Sequence, residues 1–143
     1  MSQYELIQLA DRGSLAKRAA ETIAHFIDLT LAEQDRVQIA LSGGSTPEAT
    51  YHLLGQEHLA WDRVDLLMGD ERYVPADDAL SNARMVRGSL MAEGPGQHAC
   101  FHPVPTDGAD VTADVARFNS SLEQICGSSP PEFDLILLGL GDD

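Results

Sequence analysis

Val37-Gln38-Ile39-Ala40-Leu41-Ser42-Gly43-Gly44-Ser45-Thr46-Pro47 passes from a β-branched, apolar run through a glycine pair into the opening of a helix. Val37 to Leu41 reads as a strand that enters a tight loop. Glycine carries no Cβ and tolerates positive φ, so Gly43 and Gly44 let the backbone turn sharply and come close to a ligand. Thr46 is an N-cap residue type, Pro47 suits the first helical position and Glu48 supplies an acid in the first turn. A helix is therefore expected from Pro47 to about Leu54. A strand that feeds a helix through a short loop is the repeating unit of a parallel sheet.

The same alternation extends to both sides. Tyr4 to Leu9 reads as a short strand. Leu15, Ala19, Ile23, Phe26, Ile27 and Leu31 fall at helical spacing over Ser14 to Leu31, with Asp11 or Ser14 as cap. Val64 to Met68 is the next strand, followed by a loop from Gly69. Ser81 caps a helix from Asn82 to about Met91, and Gly94-Pro95-Gly96 breaks the chain. Cys100 to Val104 reads as a strand and Asp110 to Ile125 as a helix. Phe133 to Leu138 is an apolar strand that runs into Gly139-Leu140-Gly141. The expected fold is α/β: an open, mainly parallel, Rossmann-like sheet with helices on both faces. Residues 1–143 form one domain. It reads as incomplete at its C-terminus, because the last strand has no crossover helix after it.

Composition excludes several classes. The 143 residues are 43% apolar, enough for a real core. No apolar run approaches the ~20 residues that span a bilayer, and the start lacks the pattern of a secretory signal. The expected setting is cytoplasmic, with no membrane partner. Nine basic against 23 acidic residues give a net charge of −14, which argues against nucleic acid as a partner. A local pocket of arginines and backbone N–H groups can still hold a phosphate, since exposed charges are screened beyond about 8 Å. Cys100 and Cys126 form no CxxC and read as reduced, small core residues. The five histidines show no metal-ligand spacing and read as surface or hydrogen-bonded residues.

Three loops should open on the carboxyl edge of the sheet, where open α/β folds bind ligands: Ser42–Pro47, Gly69–Pro75 and Gly139–Asp143. In the first, Gly43, Gly44, Ser45 and Thr46 precede a helix N-terminus, a combination that suits phosphate. An ordinary strand-to-helix turn would also use such residues, and the Gly-Lys-Ser/Thr ending of a P-loop is absent. In the second, Asp70-Glu71-Arg72 follows a buried strand. Arg72 could fork onto a phosphate and Asp70 or Glu71 could orient a water or sugar hydroxyls, although an isolated triplet of this kind reads more readily as a surface salt-bridge cluster.

In order and spacing, LSGGSTP, then GDERYVP with Ser81-Asn82 beyond it, then a strand into LGLGDD, resembles the 6-phosphogluconolactonase family. The resemblance runs from near residue 5 to Asp143 and covers about the first three-fifths of a family member. It implies hydrolysis of 6-phospho-D-glucono-1,5-lactone to 6-phosphogluconate in the pentose phosphate pathway, with no metal and no cofactor. Gly43, Gly44, Ser45 and Thr46 would line the phosphate end, and Arg72 would contact phosphate or sugar. Asp70 would sit beside the reacting end. Asp143 would border the catalytic histidine, which the family carries two positions further on. Without that base, the 143-residue chain alone is expected to be a poor or inactive lactonase. Glucosamine-6-phosphate deaminase is similar in fold and first loop, but its second motif reads Asp-Glu-Tyr, so Arg72 and Ser81-Asn82 favour the lactonase. A non-catalytic sugar-phosphate-binding module is a third reading. The expected partner is a small phosphorylated sugar lactone, and the sequence leaves the oligomeric state open.

Overall fold

The computed structural model of the protein describes residues 3–140. After an N-terminal segment without helix or strand come α1 (Arg12–Glu33), β1 (Val37–Leu41), α2 (Ser45–Leu54), β2 (Val64–Met68), α3 (Asn82–Gly88), β3 (Cys100–His102), α4 (Val111–Cys126) and β4 (Leu135–Ile136). The strands form one sheet in the order β3-β2-β1-β4, and every pairing is parallel. Leu41 aligns with Met68 and Ala40 with Ile136. The loops after β1, β2 and β4 therefore leave from one edge, as the alternation of strands and helices predicts. From β1 the chain moves through β2 to β3 on one side, then crosses back to place β4 on the other. That reversal makes the β1/β4 boundary a topological switch point, the place where open α/β sheets form a crevice.

Side chains alternate between the faces of a strand. Val37, Ile39 and Leu41 of β1 join Val64, Leu66 and Met68 of β2 in one core cluster. They are packed with Ala20, Ile23, Ile27 and Leu31 of α1, Tyr51 and Leu54 of α2, and Val86 of α3. Right-handed crossovers in the reversed direction put α4 over the opposite face. Cys126 of α4 is consistent with this. Its thiol is pushed up by burial and, beyond that, by the nearby carboxylates of Asp65 and Asp134.

Asp65 is a charge inside a buried strand, only 4% exposed. Its carboxylate accepts from Arg36 Nε and Nη2, both at 2.9 Å, and from Gln38 Nε2 at 3.0 Å. His102 Nε2 stands 2.9 Å from it. Burial alone would raise this carboxyl, but the bonds from Arg36, His102 and Gln38 outweigh it and hold the group down at about 2. The cluster ties the amino ends of β1 and β2 to His102, the last residue of β3. His102 is thus a hydrogen-bonded histidine.

Several expected boundaries shift for physical reasons. Tyr4–Leu9 forms no strand, because among the described residues no strand pairs with it. Asp11 is the cap of α1, accepting from Ser14 N at 2.7 Å. The helix after the glycine pair begins at Ser45 with Gly44 as N-cap, two residues earlier than predicted, so Pro47 sits inside the first turn. A proline there costs no bond, since its N–H would be unpaired anyway. α3 stops at Gly88, three residues short of the expected Met91, and β3 is only three residues long. β4 is two residues rather than six, with Leu138 and Leu140 exposed, because it lies at the sheet edge and pairs on one side only. Both cysteines are free and half-buried rather than core residues. None of the described helices is long and apolar enough to cross a membrane.

Candidate active site

The first loop is held from below by Tyr51. Its hydroxyl donates to the Ser42 carbonyl at 2.8 Å and accepts from Ser42 N–H at 3.0 Å. The two glycines that follow are needed for different reasons. Gly43 packs against Asn82 so closely that an added Cβ would lie 2.8 Å from the Asn82 side-chain carbon. Gly44 has φ 115° and ψ 167°, a conformation essentially reserved for glycine. It caps α2 without a side-chain bond. Glu48 N–H reaches back to the Gly44 carbonyl at 3.0 Å, and Pro47 has no N–H. The Ser45 and Thr46 N–H groups are left at the positive end of α2 with no intrahelical partner.

The second loop starts beside the first, where Gly69 N–H donates to the Leu41 carbonyl at 2.8 Å. Its middle is fixed by Glu71. One carboxylate oxygen accepts from Arg72 N–H at 2.8 Å and Asn82 N–H at 2.7 Å; the other accepts from Ala83 N–H at 2.9 Å. Ser81 Oγ accepts from Arg84 N–H at 3.2 Å. The first three N–H groups of α3 are thus satisfied within the protein, while α2 keeps two open. Asn82 Nδ2 donates to the Asp70 carbonyl at 3.1 Å. At the far end Tyr73 donates to the buried Asp114 at 2.8 Å, a bond that is the main cause of the raised Tyr73 hydroxyl pKa.

Between these anchors lies a hollow of about 500 Å³, lined in part by Gly44, Glu48, Arg72, Asn82 and Arg84. Arg72 and Arg84 are exposed and form no ion pair among the described residues. That corrects the surface salt-bridge reading of the Asp70-Glu71-Arg72 triplet: Glu71 is taken up by backbone N–H groups, and the Arg72 guanidinium has no acidic partner among the described residues. Of the predicted binding residues, Gly44 and Arg72 line the hollow, and Gly43, Ser45 and Thr46 adjoin it in the chain. Asp70 is exposed on the same loop as Arg72, and its side chain accepts no hydrogen bond among the described residues. Asp143, like Gly141, lies outside the described residues. The sequence reading gave Glu71 to water or sugar hydroxyls, where the structure has it accepting from backbone N–H groups, and it missed the bond from Asn82 to Asp70 and Arg84. The spacing of Arg84 three residues after the Ser81 cap was the available signal. A second hollow, about 300 Å³, is walled by Ile7, Leu9, Leu15, Phe26, Leu135 and Leu137 and is almost wholly apolar. It suits no sugar phosphate.

The carboxyl edge of this open α/β sheet thus carries, among the described residues, a helix N-terminus with no side-chain cap and two exposed arginines outside any ion pair. The chain belongs to the family described as glucosamine-6-phosphate isomerases/6-phosphogluconolactonase, which it matches over residues 10–143. It is 38% identical over 138 residues to the 6-phosphogluconolactonase of a Synechocystis species, covering 94% of this chain and 58% of that protein. The Nostoc 6-phosphogluconolactonase is 36% identical over the same length and with the same coverage. The chain thus spans a little under three-fifths of the curated relatives it matches. Among solved structures, a 6-phosphogluconolactonase from Shewanella baltica superposes with a TM-score of 0.85 at 28% identity, over 94% of this chain and 56% of that one. A monomeric glucosamine-6-phosphate deaminase shares the fold, with a TM-score of 0.67 at 19% identity over 83% of this chain and 50% of that one.

Proposed function

We propose that this chain forms the phosphate-binding part of a cytoplasmic 6-phosphogluconolactonase. The observation that carries the proposal is the pairing of an open helix N-terminus at Ser45 and Thr46 with Arg72 and Arg84, neither of which forms an ion pair among the described residues. The neighbouring N-terminus of α3 is already filled by Glu71. A phosphate seated there accepts backbone N–H bonds and charge-assisted bonds from the arginines. The sugar ring then runs along the second loop, where Asp70 meets the lactone end. Water attacks the lactone carbonyl, the electron pair moves to oxygen, and collapse of the tetrahedral intermediate expels the ring oxygen to leave the open acid. A histidine beyond residue 143 is the general base in this scheme, a role that contributes about 10²–10⁴ in rate, and Asp143 helps to place it. Holding the substrate at both ends provides orientation.

The test uses a chain of family length carrying these residues, with spontaneous lactone hydrolysis subtracted. The expected result is hydrolysis of 6-phosphogluconolactone above the spontaneous rate and no release of ammonia from glucosamine 6-phosphate. Ammonia release without lactone hydrolysis would replace this reading with the deaminase. Binding of sugar phosphates with neither reaction would make the protein a binding module.

A further inference from the structure

We propose that Glu71 and Asn82 are positioning residues. Together they fix the gap between the two loops, so that a substrate held by its phosphate at the first loop meets Asp70 on the second at one set distance. The proposal rests on the lactonase reading above and deepens it.

Asn82 touches both loops at once. Its Nδ2 donates to the Asp70 carbonyl at 3.1 Å. Its amide also stands so close to Gly43 that a Cβ there would lie 2.9 Å from the same nitrogen. One side chain therefore spans from the phosphate loop to the peptide bearing Asp70. It is 7% exposed, which leaves it little freedom to adapt. Glu71 sets where Asn82 stands. The carboxylate that accepts from the Asn82 and Ala83 N–H groups also accepts from the Arg72 N–H. The backbone beneath Arg72 and the first turn of α3 are clamped to the same two oxygens.

A simple helix cap would account for the bonds from Glu71 to α3, since Ser81 and Glu71 between them fill its free N–H groups. It would not account for the Arg72 N–H sharing that carboxylate, nor for a buried amide wedged between Gly43 and the Asp70 carbonyl. Those contacts join the two ends of the candidate site to each other. The chain of dependence runs from Glu71 to Asn82, and from Asn82 to Gly43 on one side and Asp70 on the other. The residues act through the groups they place, and a displacement of about 1 Å in such a site costs on the order of 10²-fold in rate.

The test is steady-state kinetics on 6-phosphogluconolactone with a chain of family length carrying these residues, alongside inhibition by inorganic phosphate and thermal melting. Asn82→Ala and Glu71→Gln are each expected to lower kcat by about tenfold to a hundredfold. Inhibition by inorganic phosphate, which reports the phosphate end at Ser45, Thr46, Arg72 and Arg84, should change by a smaller factor than kcat in Asn82→Ala, because that residue joins the two loops without donating to the phosphate. Gly43→Ala should lower Tm because its methyl meets Asn82. Adding Asn82→Ala to it should restore Tm without restoring kcat. Wild-type kcat in Asn82→Ala, or recovery of kcat together with Tm in the double variant, would overturn the proposal while leaving the lactonase reading intact. If the unsubstituted protein turned over no lactone, that reading would fall and this proposal with it.

Discussion

The Tyr51 hydroxyl is bonded to both backbone groups of Ser42, the N–H at 3.0 Å and the carbonyl at 2.8 Å. α2 thereby reaches back nine residues to hold the loop from which it springs. Tyr51 is fully buried. Tyr51→Phe keeps the ring and removes both bonds, which leaves a backbone donor and acceptor unpaired at the end of β1. The expected loss is about 1–3 kcal/mol of stability, read from the urea midpoint.

Gly44 holds φ 115° at the N-cap of α2. Gly44→Ala meets no backbone clash, since the nearest atom to an added Cβ is Pro47 Cδ at 3.6 Å. The cost is conformational. It should amount to about 1–3 kcal/mol, and chemical denaturation would measure it. A loss near zero would mean that the loop adopts another conformation.

β1 and β2 were legible to the residue, because both are short apolar runs bounded by turn residues and buried on both faces. The ends that moved are those that depend on something distant. Tyr4–Leu9 has the composition of a strand, but a strand exists only with a partner. β4 is apolar through Leu138, but only Leu135 and Ile136 meet β1 in register. In the site, the glycine pair and Arg72 were legible because a loop motif shows itself locally. Glu71 was not, because its three partners include α3, eleven and twelve residues on. Asp65 was legible in principle: an acid in the middle of Val64-Asp65-Leu66-Leu67-Met68 needs a buried cation or donors, and Arg36, Gln38 and His102 supply them.

Asp65 makes stability depend on pH at the acid end. Its folded pKa, about 2, lies below the ordinary 3.8. Its contribution is therefore complete above about pH 4 and is lost as pH falls toward 2. Asp65→Asn should destabilise the protein by about 1–3 kcal/mol at pH 7. The gap from the unsubstituted chain should narrow between pH 4 and pH 2. Denaturation midpoints measured across that range would check this, and a gap that is constant with pH would refute it.

Arg72 stands exposed on its loop, bonded to Glu71 only through its backbone N–H. Arg72→Ala should leave the urea midpoint unchanged. It should weaken binding of 6-phosphogluconate by about tenfold to 150-fold, equivalent to about 1.5–3 kcal/mol for a charge-assisted bond. Calorimetry would measure it, and unchanged affinity would remove Arg72 from the site.

The most direct test of the site asks which helix receives the phosphate. Amide chemical shifts would be followed by NMR while 6-phosphogluconate is titrated into a chain of family length carrying these residues. Large, saturable shifts are expected at the Ser45 and Thr46 amides, whose N–H groups are open. Shifts at Asn82 and Ala83 should be small, because Glu71 already occupies that helix end. Large shifts at Asn82 and Ala83 with none at Ser45 and Thr46 would contradict this expectation.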